Sequence, residues 1–224
     1  YTAFKNGNRP VYPDDAPRSL KENLTRTGLL RSRDLRSFES LGPITRDDTD
    51  DRDVIIFPEM INNRYVMLHR PAEWTGSAYG TKKPGIWMAF SRDMLHWGGD
   101  ILLAQPEFEW QSEKVGGSTP PVRTKYGWLV MYHGVDKKRV YRQGLMMLDL
   151  DDPARIVARP DDFILEPAEE FEVKGVEHDV VFAVGNIVKG KELFVYYGGA
   201  DKVCCVATAR LDELVDYVMS YQIK

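Results

Sequence analysis

Cysteine is nearly absent from this sequence: among 224 residues only Cys204 and Cys205 carry thiols, and they are neighbours. Adjacent strand residues point to opposite faces, so no internal disulfide between them is expected, and no disulfide-stapled scaffold. Long apolar runs are missing too, since Ile101 to Ala104 and Val203 to Val206 fall far short of the roughly 20 residues a membrane helix needs. There is no excess of positive charge: 30 Lys and Arg stand against 34 Asp and Glu, a net charge of −4. No basic field therefore draws the whole molecule onto nucleic acid or anionic lipid, and any bound anion must be held by a local cluster. The two Cys and four scattered His offer no zinc-ligand spacing, so no metal and no organic cofactor is expected. With unpaired thiols and no membrane-length apolar run, the expectation is a soluble protein of a reducing, cytoplasmic compartment. The chain opens on Tyr1 rather than Met, so its natural start is expected upstream.

What the sequence does have is apolar and aromatic material: 43% hydrophobic residues, with 5 Trp, 11 Tyr and 9 Phe, enough to bury a sizeable core. Four segments echo one another. Ser32-Arg33-Asp34-Leu35 through Phe38 and Ser91-Arg92-Asp93-Met94 through Trp97 share the pattern Ser-x-Asp-apolar-x-x-aromatic, about 60 positions apart, and looser echoes follow at Leu148 to Pro153 and Leu211 to Leu214. Each follows a strand-like run. A period of this size with several short strands per unit is the signature of a radial repeat, the blade of a β-propeller. Asp34 and Asp93 themselves read as turn caps, because Asp carboxylates bond backbone amides in turns.

The strands inside the units can be placed from their β-branched and aromatic runs. One unit reads Val54 to Phe57, Tyr65 to Leu68, Ile86 to Phe90 and Ile101 to Leu103; the next reads Pro121 to Arg123, Trp128 to His133, Gly144 to Leu148 and Arg155 to Ala158. Asn62-Asn63 and Tyr126-Gly127 occupy tight-turn positions. A third unit has Val180 to Val184, Leu193 to Tyr197 and Val203 to Thr208, then a helical tail over 211–221. Tyr1 to Phe4 and Leu24 to Arg31 read as two strands of a blade whose first strand is absent. The whole of 1–224 is thus one β-propeller domain, incomplete at its N-terminus, with exposed sheet edges unless upstream blades complete it.

Polar residues set in apolar strands are the candidates for chemistry. Arg52 and Glu59 bracket an apolar strand, His69-Arg70 follows Val66-Met67-Leu68, His133 closes Trp128 to Met131, and Lys114 precedes a Gly116-Gly117 to Pro120-Pro121 segment that reads as a turn. Each alone has a plain explanation, as a solvated strand end or a hydrogen-bonded structural residue. Together, Arg52, Arg70, Lys114 and His133 sit beside inner-strand positions of successive blades, which converge on one axial cavity. Three fixed cations and an imidazole suit a dianion such as phosphate.

Asp53 to Pro58, Tyr65 to Pro71, Gly127 to Val135, Leu148 to Pro153 and Tyr196 to Asp201 closely resemble the β-mannoside phosphorylases of glycoside hydrolase family 130, in order and spacing, from about residue 52 to residue 208. The resemblance implies an all-β, five-bladed propeller that cleaves β-mannosides with inorganic phosphate as co-substrate, inverting the anomeric carbon to give α-mannose 1-phosphate. It implies phosphate binding by Arg52, Arg70, Lys114 and His133, and mannosyl binding by Asp201. It also implies a general-acid Asp in a Glu-Asp-Pro-Arg-like segment. No such segment occurs here, so the catalytic acid is expected upstream of Tyr1.

The inventory agrees with phosphorolysis. An inverting hydrolase needs two carboxyl groups, whereas phosphate is itself an anionic nucleophile and can replace the base. Gly7 to Leu24 and part of Ala72 to Pro84 read as insertions relative to the family, and His178-Asp179 departs from its pattern. Those loops are solvated surface, or else they shape a sugar subsite with Trp74 or Tyr79 stacking on a pyranose face. Glu59 is a sugar-binding carboxylate or the partner of an Arg. The alternatives are an inverting β-mannosidase on the same fold and a non-catalytic glycan-binding propeller. The expected partners are a β-mannoside, as a mannosyl disaccharide or short oligosaccharide, and phosphate, with no nucleic acid and no membrane; a homo-oligomer stays open, since the tail from Leu211 can dock on its own propeller or on a neighbour.

Overall fold

The computed structural model describes residues 2–3, 13–15 and 24–223. Its strands fall into four antiparallel sheets taken in sequence order. The first holds β1 (Thr2–Ala3), β2 (Arg26–Arg31) and β3 (Glu39–Pro43); the second holds β4 (Asp51–Ile56), β5 (Tyr65–Pro71), β6 (Ile86–Ser91) and β7 (Trp97–Ala104). The third runs β8 (Lys114–Gly117), β9 (Val122–Arg123), β10 (Trp128–Val135), β11 (Tyr141–Leu148) and β12 (Ile156–Ala158), and the fourth β13 (Val181–Lys189), β14 (Glu192–Gly199) and β15 (Val203–Arg210). Each is a meander, so the blade reading holds and the fold is an all-β propeller. Of the stretch read as an insertion over 7–24, only 13–15 and 24 lie among the described residues.

The repeated Ser-x-Asp segments are one recurring loop. Asp34 Oδ1 accepts from the Arg36 and Ser37 amides at 2.9 and 2.8 Å, and Asp93 Oδ1 from the Leu95 and His96 amides at the same distances. In both loops the Ser hydroxyl receives the amide of the apolar residue, Leu35 or Met94, which takes a positive φ of 57° or 65°. The amide donors hold the Asp34 carboxyl well below the usual carboxylate range, and the His96 side chain together with the amides does the same for Asp93. Asp149 repeats the device toward Asp151 and Asp152. The fourth echo differs: Leu211 starts a helix, Leu211–Met219.

The core sits between blades. Alternation along the strands places Leu68, Met88, Trp128, Val130 and Met146 between the second and third sheets, and Leu129, Met131, Leu145, Val181 and Val195 between the third and fourth. Phe57 meets Trp128 edge to face at 5.3 Å, worth about 0.5–1.5 kcal/mol beyond its buried area. The C-terminal helix docks on its own propeller: Val215 and Val218 are buried in the second of these clusters, and Ile223 donates its amide to Val157 O at 3.0 Å.

One local reading changes. Gly116-Gly117 is strand, not turn: β8 pairs with β10, His133 opposite Gly116, and the chain breaks only at 118–121 before β9. Asn62 and Asn63 do form the expected tight turn, at φ 50° and 59°, and Gly127 is obligatory in its turn, where φ is 153° and a Cβ would strike Leu148 O.

Candidate active site

Antiparallel pairing brings the four predicted phosphate residues to one end of two neighbouring blades. Arg52 on β4 lies directly opposite Arg70 on β5, while Lys114 on β8 lies opposite Val135 and His133 opposite Gly116. Each blade thus contributes two of them.

At their centre is a residue to which the sequence reading gave no role. The β4 and β5 pairing slips between Arg52 and Ile55, and Asp53, at φ 55°, turns its carboxylate inward. Its Oδ2 accepts from Arg70 Nε at 2.5 Å and lies 3.4 Å from His133 Nε2. Burial would push the Asp53 carboxyl up, but Arg70, His133 and Lys114 outweigh it and hold it below the usual range. Arg70, its side chain only 6% exposed, gives Nε to Asp53, and its terminal nitrogens make no hydrogen bond to the described residues. A positive φ at a non-glycine is the signal that marks Asp53; nothing in the local sequence foretells it.

His133 is buried, its Nδ1 3.4 Å from Ser118 Oγ. Burial, opposed by Asp53 and reinforced by Arg70 and Lys114, pushes its pKa down to about 4, so the ring is neutral at neutral pH. Lys114 Nζ donates to the Tyr141 hydroxyl at 2.7 Å. Arg52, half exposed, makes a two-pronged contact with Asp50 at 2.7 Å on each arm. Three cations, two carboxylates and a neutral imidazole leave a local excess of one positive charge, with every cation pre-aimed by a partner. Such an arrangement receives an oxyanion.

Tyr141 connects this cluster to Asp201. With Phe182 and Val180 they line a cavity of about 270 Å³. Asp201 reaches it from the β14–β15 turn, where Ala200 and Asp201 both take positive φ, 48° and 52°. Asp201 thus lines a hollow whose Tyr141 is also the hydrogen-bond partner of Lys114.

Glu59 is not. It is exposed, 3.8 Å from Arg123, beyond the opposite end of β4, seven residues of extended chain or on the order of 20 Å from Arg52. Of its two sequence readings, the Arg partner is the one this geometry matches.

Trp74 and Tyr79 stack on each other at 5.6 Å, and Trp74 also packs edge-on against Trp87 at 4.9 Å and His69 at 5.9 Å. Trp74 is thereby engaged in packing, while Tyr79 keeps 39% of its surface exposed. Beneath them His69 is clamped between Asp51, at 2.9 Å, and Asp100, at 3.3 Å. Burial opposes its charge, but the two carboxylates win and raise its pKa to about 9. This buried imidazolium sits one residue from Arg70, and Asp51 one residue from Arg52, so the clamp ties together the strand ends that carry both arginines.

A profile of the family described as beta-1,4-mannooligosaccharide phosphorylase matches residues 27–220. The chain is 40% identical to a 1,2-beta-oligomannan phosphorylase of Thermoanaerobacter over 83% of its own length and 59% of that protein's. It is 37% identical to a beta-1,2-mannobiose phosphorylase of Listeria innocua over 84% of its length and 51% of the relative's. A solved structure of a beta-1,2-mannobiose phosphorylase from Listeria innocua, in complex with beta-1,2-mannobiose, superposes with a TM-score of 0.81 at 34% identity, covering 89% of this chain and 55% of the other. The chain thus spans little more than half the length of the relatives it matches.

Proposed function

This chain belongs to glycoside hydrolase family 130, and from that premise we propose that it forms the phosphate and mannosyl side of an inverting β-mannoside phosphorylase. The observation that supports the reading is the gathering of Arg70, Lys114 and neutral His133 around Asp53, with Arg52 paired across from Arg70 and Tyr141 shared between Lys114 and the Asp201 cavity. Phosphate attacks the anomeric carbon from the face opposite the leaving sugar; the cations hold its charge, and Asp201 receives mannosyl hydroxyls. No separate base is required, because the nucleophile arrives ionised.

Asp53 does not suit the role of general acid: Arg70 keeps it ionised when a proton must be given. We assign the acid to sequence upstream of Tyr1, as the family pattern implies. The relatives at 40% and 37% identity are named for β-1,2 linkages, which favours a β-1,2-mannoside substrate here, handled in the cytoplasm.

The test is phosphate-dependent release of mannose 1-phosphate from β-1,2- and β-1,4-mannosyl disaccharides, comparing the full natural gene product with the 224-residue chain. Release by the long form alone supports the reading and the upstream acid. Phosphate-independent release of free mannose would establish a mannosidase instead, and glycan binding without turnover a lectin-like module.

A further inference from the structure

One sizeable cavity holds none of the cation cluster. It is a cleft of about 820 Å³ between the β5–β6 loop and the segment joining β7 to β8, at the same end of the propeller as Arg70 and Lys114. Lys83 lines both this cleft and a cavity of about 660 Å³ that contains Lys114 and Tyr141. Tyr141 in turn lines the Asp201 cavity. The three hollows are therefore neighbours that share walls, and Lys83, ion-paired to Glu113 of the second hollow at 2.7 Å, belongs to the wall between the first two.

The cleft differs in chemistry from the cation cluster. Its four charged residues, Lys82, Lys83, Glu107 and Glu109, sum to zero, so it offers no net attraction to an anion. Phe108 adds an aromatic wall, with the Arg159 guanidinium 5.4 Å from its ring. The opposite wall is a pinned hairpin: Gly76 and Thr81 pair, and the buried Thr81 hydroxyl donates to Lys83 O at 2.7 Å. Hydrogen-bonding groups of both signs, one aromatic face and a volume inside the range of about 300–1,000 Å³ found for ligand sites match a neutral, polyhydroxylated ligand.

We propose that this cleft is a second carbohydrate site, which takes the distal sugars of a neutral oligosaccharide whose cleaved end lies at the Lys114 cavity. The proposal rests on the mannoside reading above and gives the distal sugars of a longer substrate their place on the protein.

The experiment uses the full-length protein and a Ser77→Trp variant that fills the cleft from its exposed rim. Calorimetric binding of β-1,2-mannotetraose and β-1,2-mannobiose is measured alongside phosphorolysis of both. The expected result is an affinity and kcat/KM for the tetraose reduced about tenfold or more, with the disaccharide values retained. A second variant, Lys82→Ala with Glu109→Ala, keeps the cleft open and removes its polar contacts; it should weaken the tetraose alone. Equal values for both sugars in wild type and variants, or no binding of the tetraose at all, would overturn the cleft. Absence of phosphorolysis of any β-mannoside by the unsubstituted protein, with length-dependent binding intact, would overturn the phosphorylase reading and leave the cleft standing.

Discussion

Replacing Gly116 by Ala inserts a single methyl group at the most crowded point of the cation cluster. A Cβ there would clash with Asp53 Oδ2 and lie 2.6 Å from His133 Cε1 and 2.8 Å from its Nε2. His133 cannot retreat, because Phe182 stands 4.8 Å and Tyr141 5.9 Å from its ring; Asp53 is tied to Arg70. Overpacking of this kind costs about 1–3 kcal/mol, and at roughly 2–4 °C per kcal/mol for a chain of this size the melting temperature falls by about 2–12 °C. Displacing Asp53 also turns Arg70 away. Losing one charge-assisted hydrogen bond to phosphate costs about 1.5–3 kcal/mol, so the KM for phosphate rises roughly 10- to 150-fold while that for the mannoside changes little. Gly185→Ala is the control: nothing lies within 4 Å of its Cβ position, so stability should change by less than about 0.5 kcal/mol. Phosphate titrations of full-length protein and thermal unfolding of both variants read the outcome. A Gly116→Ala protein with unchanged melting temperature and phosphate KM, or one impaired only toward the mannoside, would refute the packing argument.

The two arginines should separate. Arg52→Ala removes a half-exposed charge and raises the KM for phosphate with under about 1 kcal/mol lost in stability, whereas Arg70→Ala strands buried Asp53 and costs about 3–5 kcal/mol; equal denaturation midpoints for the pair would contradict the burial difference. His69, raised to about 9 from 6.5, contributes stability that is full below pH 6.5 and is lost as pH climbs through 9, about 3 kcal/mol over the window; urea midpoints should show that decline, and a His69→Gln protein should lack it. His133, lowered to about 4, acts in the other direction: the unfolded chain takes up its proton first, so stability drains as pH falls from 6.5 to 4, and His133→Gln should flatten the component. Glu59→Gln alters only an exposed pair, so phosphorolysis kinetics should match wild type; a raised KM for the mannoside would return Glu59 to the site.

The blades, their strands and their turn chemistry were legible because they are short-range. The continuous apolar run Tyr65 to Leu68, the paired asparagines at 62–63 and the Ser-x-Asp loops each specify a conformation within a few residues, and β10, β11 and β14 begin within a residue of where the runs placed them or include them whole. Gly116-Gly117 was misread for a physical reason. Glycines signal a turn from sequence, but here they are small because Asp53 and His133, far away in the chain, need the space above a strand.

The same division governs the site. Sequence alone determined which basic residues the protein has at strand ends of one polarity, since strand direction and pairing follow from the pattern of runs and turns. Only the tertiary structure decided what those cations face. A register slip and one left-handed residue bring Asp53 between Arg70 and His133, the meeting of β4, β5 and β7 closes Asp51 and Asp100 on His69, and strand direction carries Glu59 to the far end. None of these follows from local propensity, because each depends on which atoms of another strand or blade fill the space opposite, and the protonation of His69 and His133 is set by that company rather than by the residues beside them in the chain.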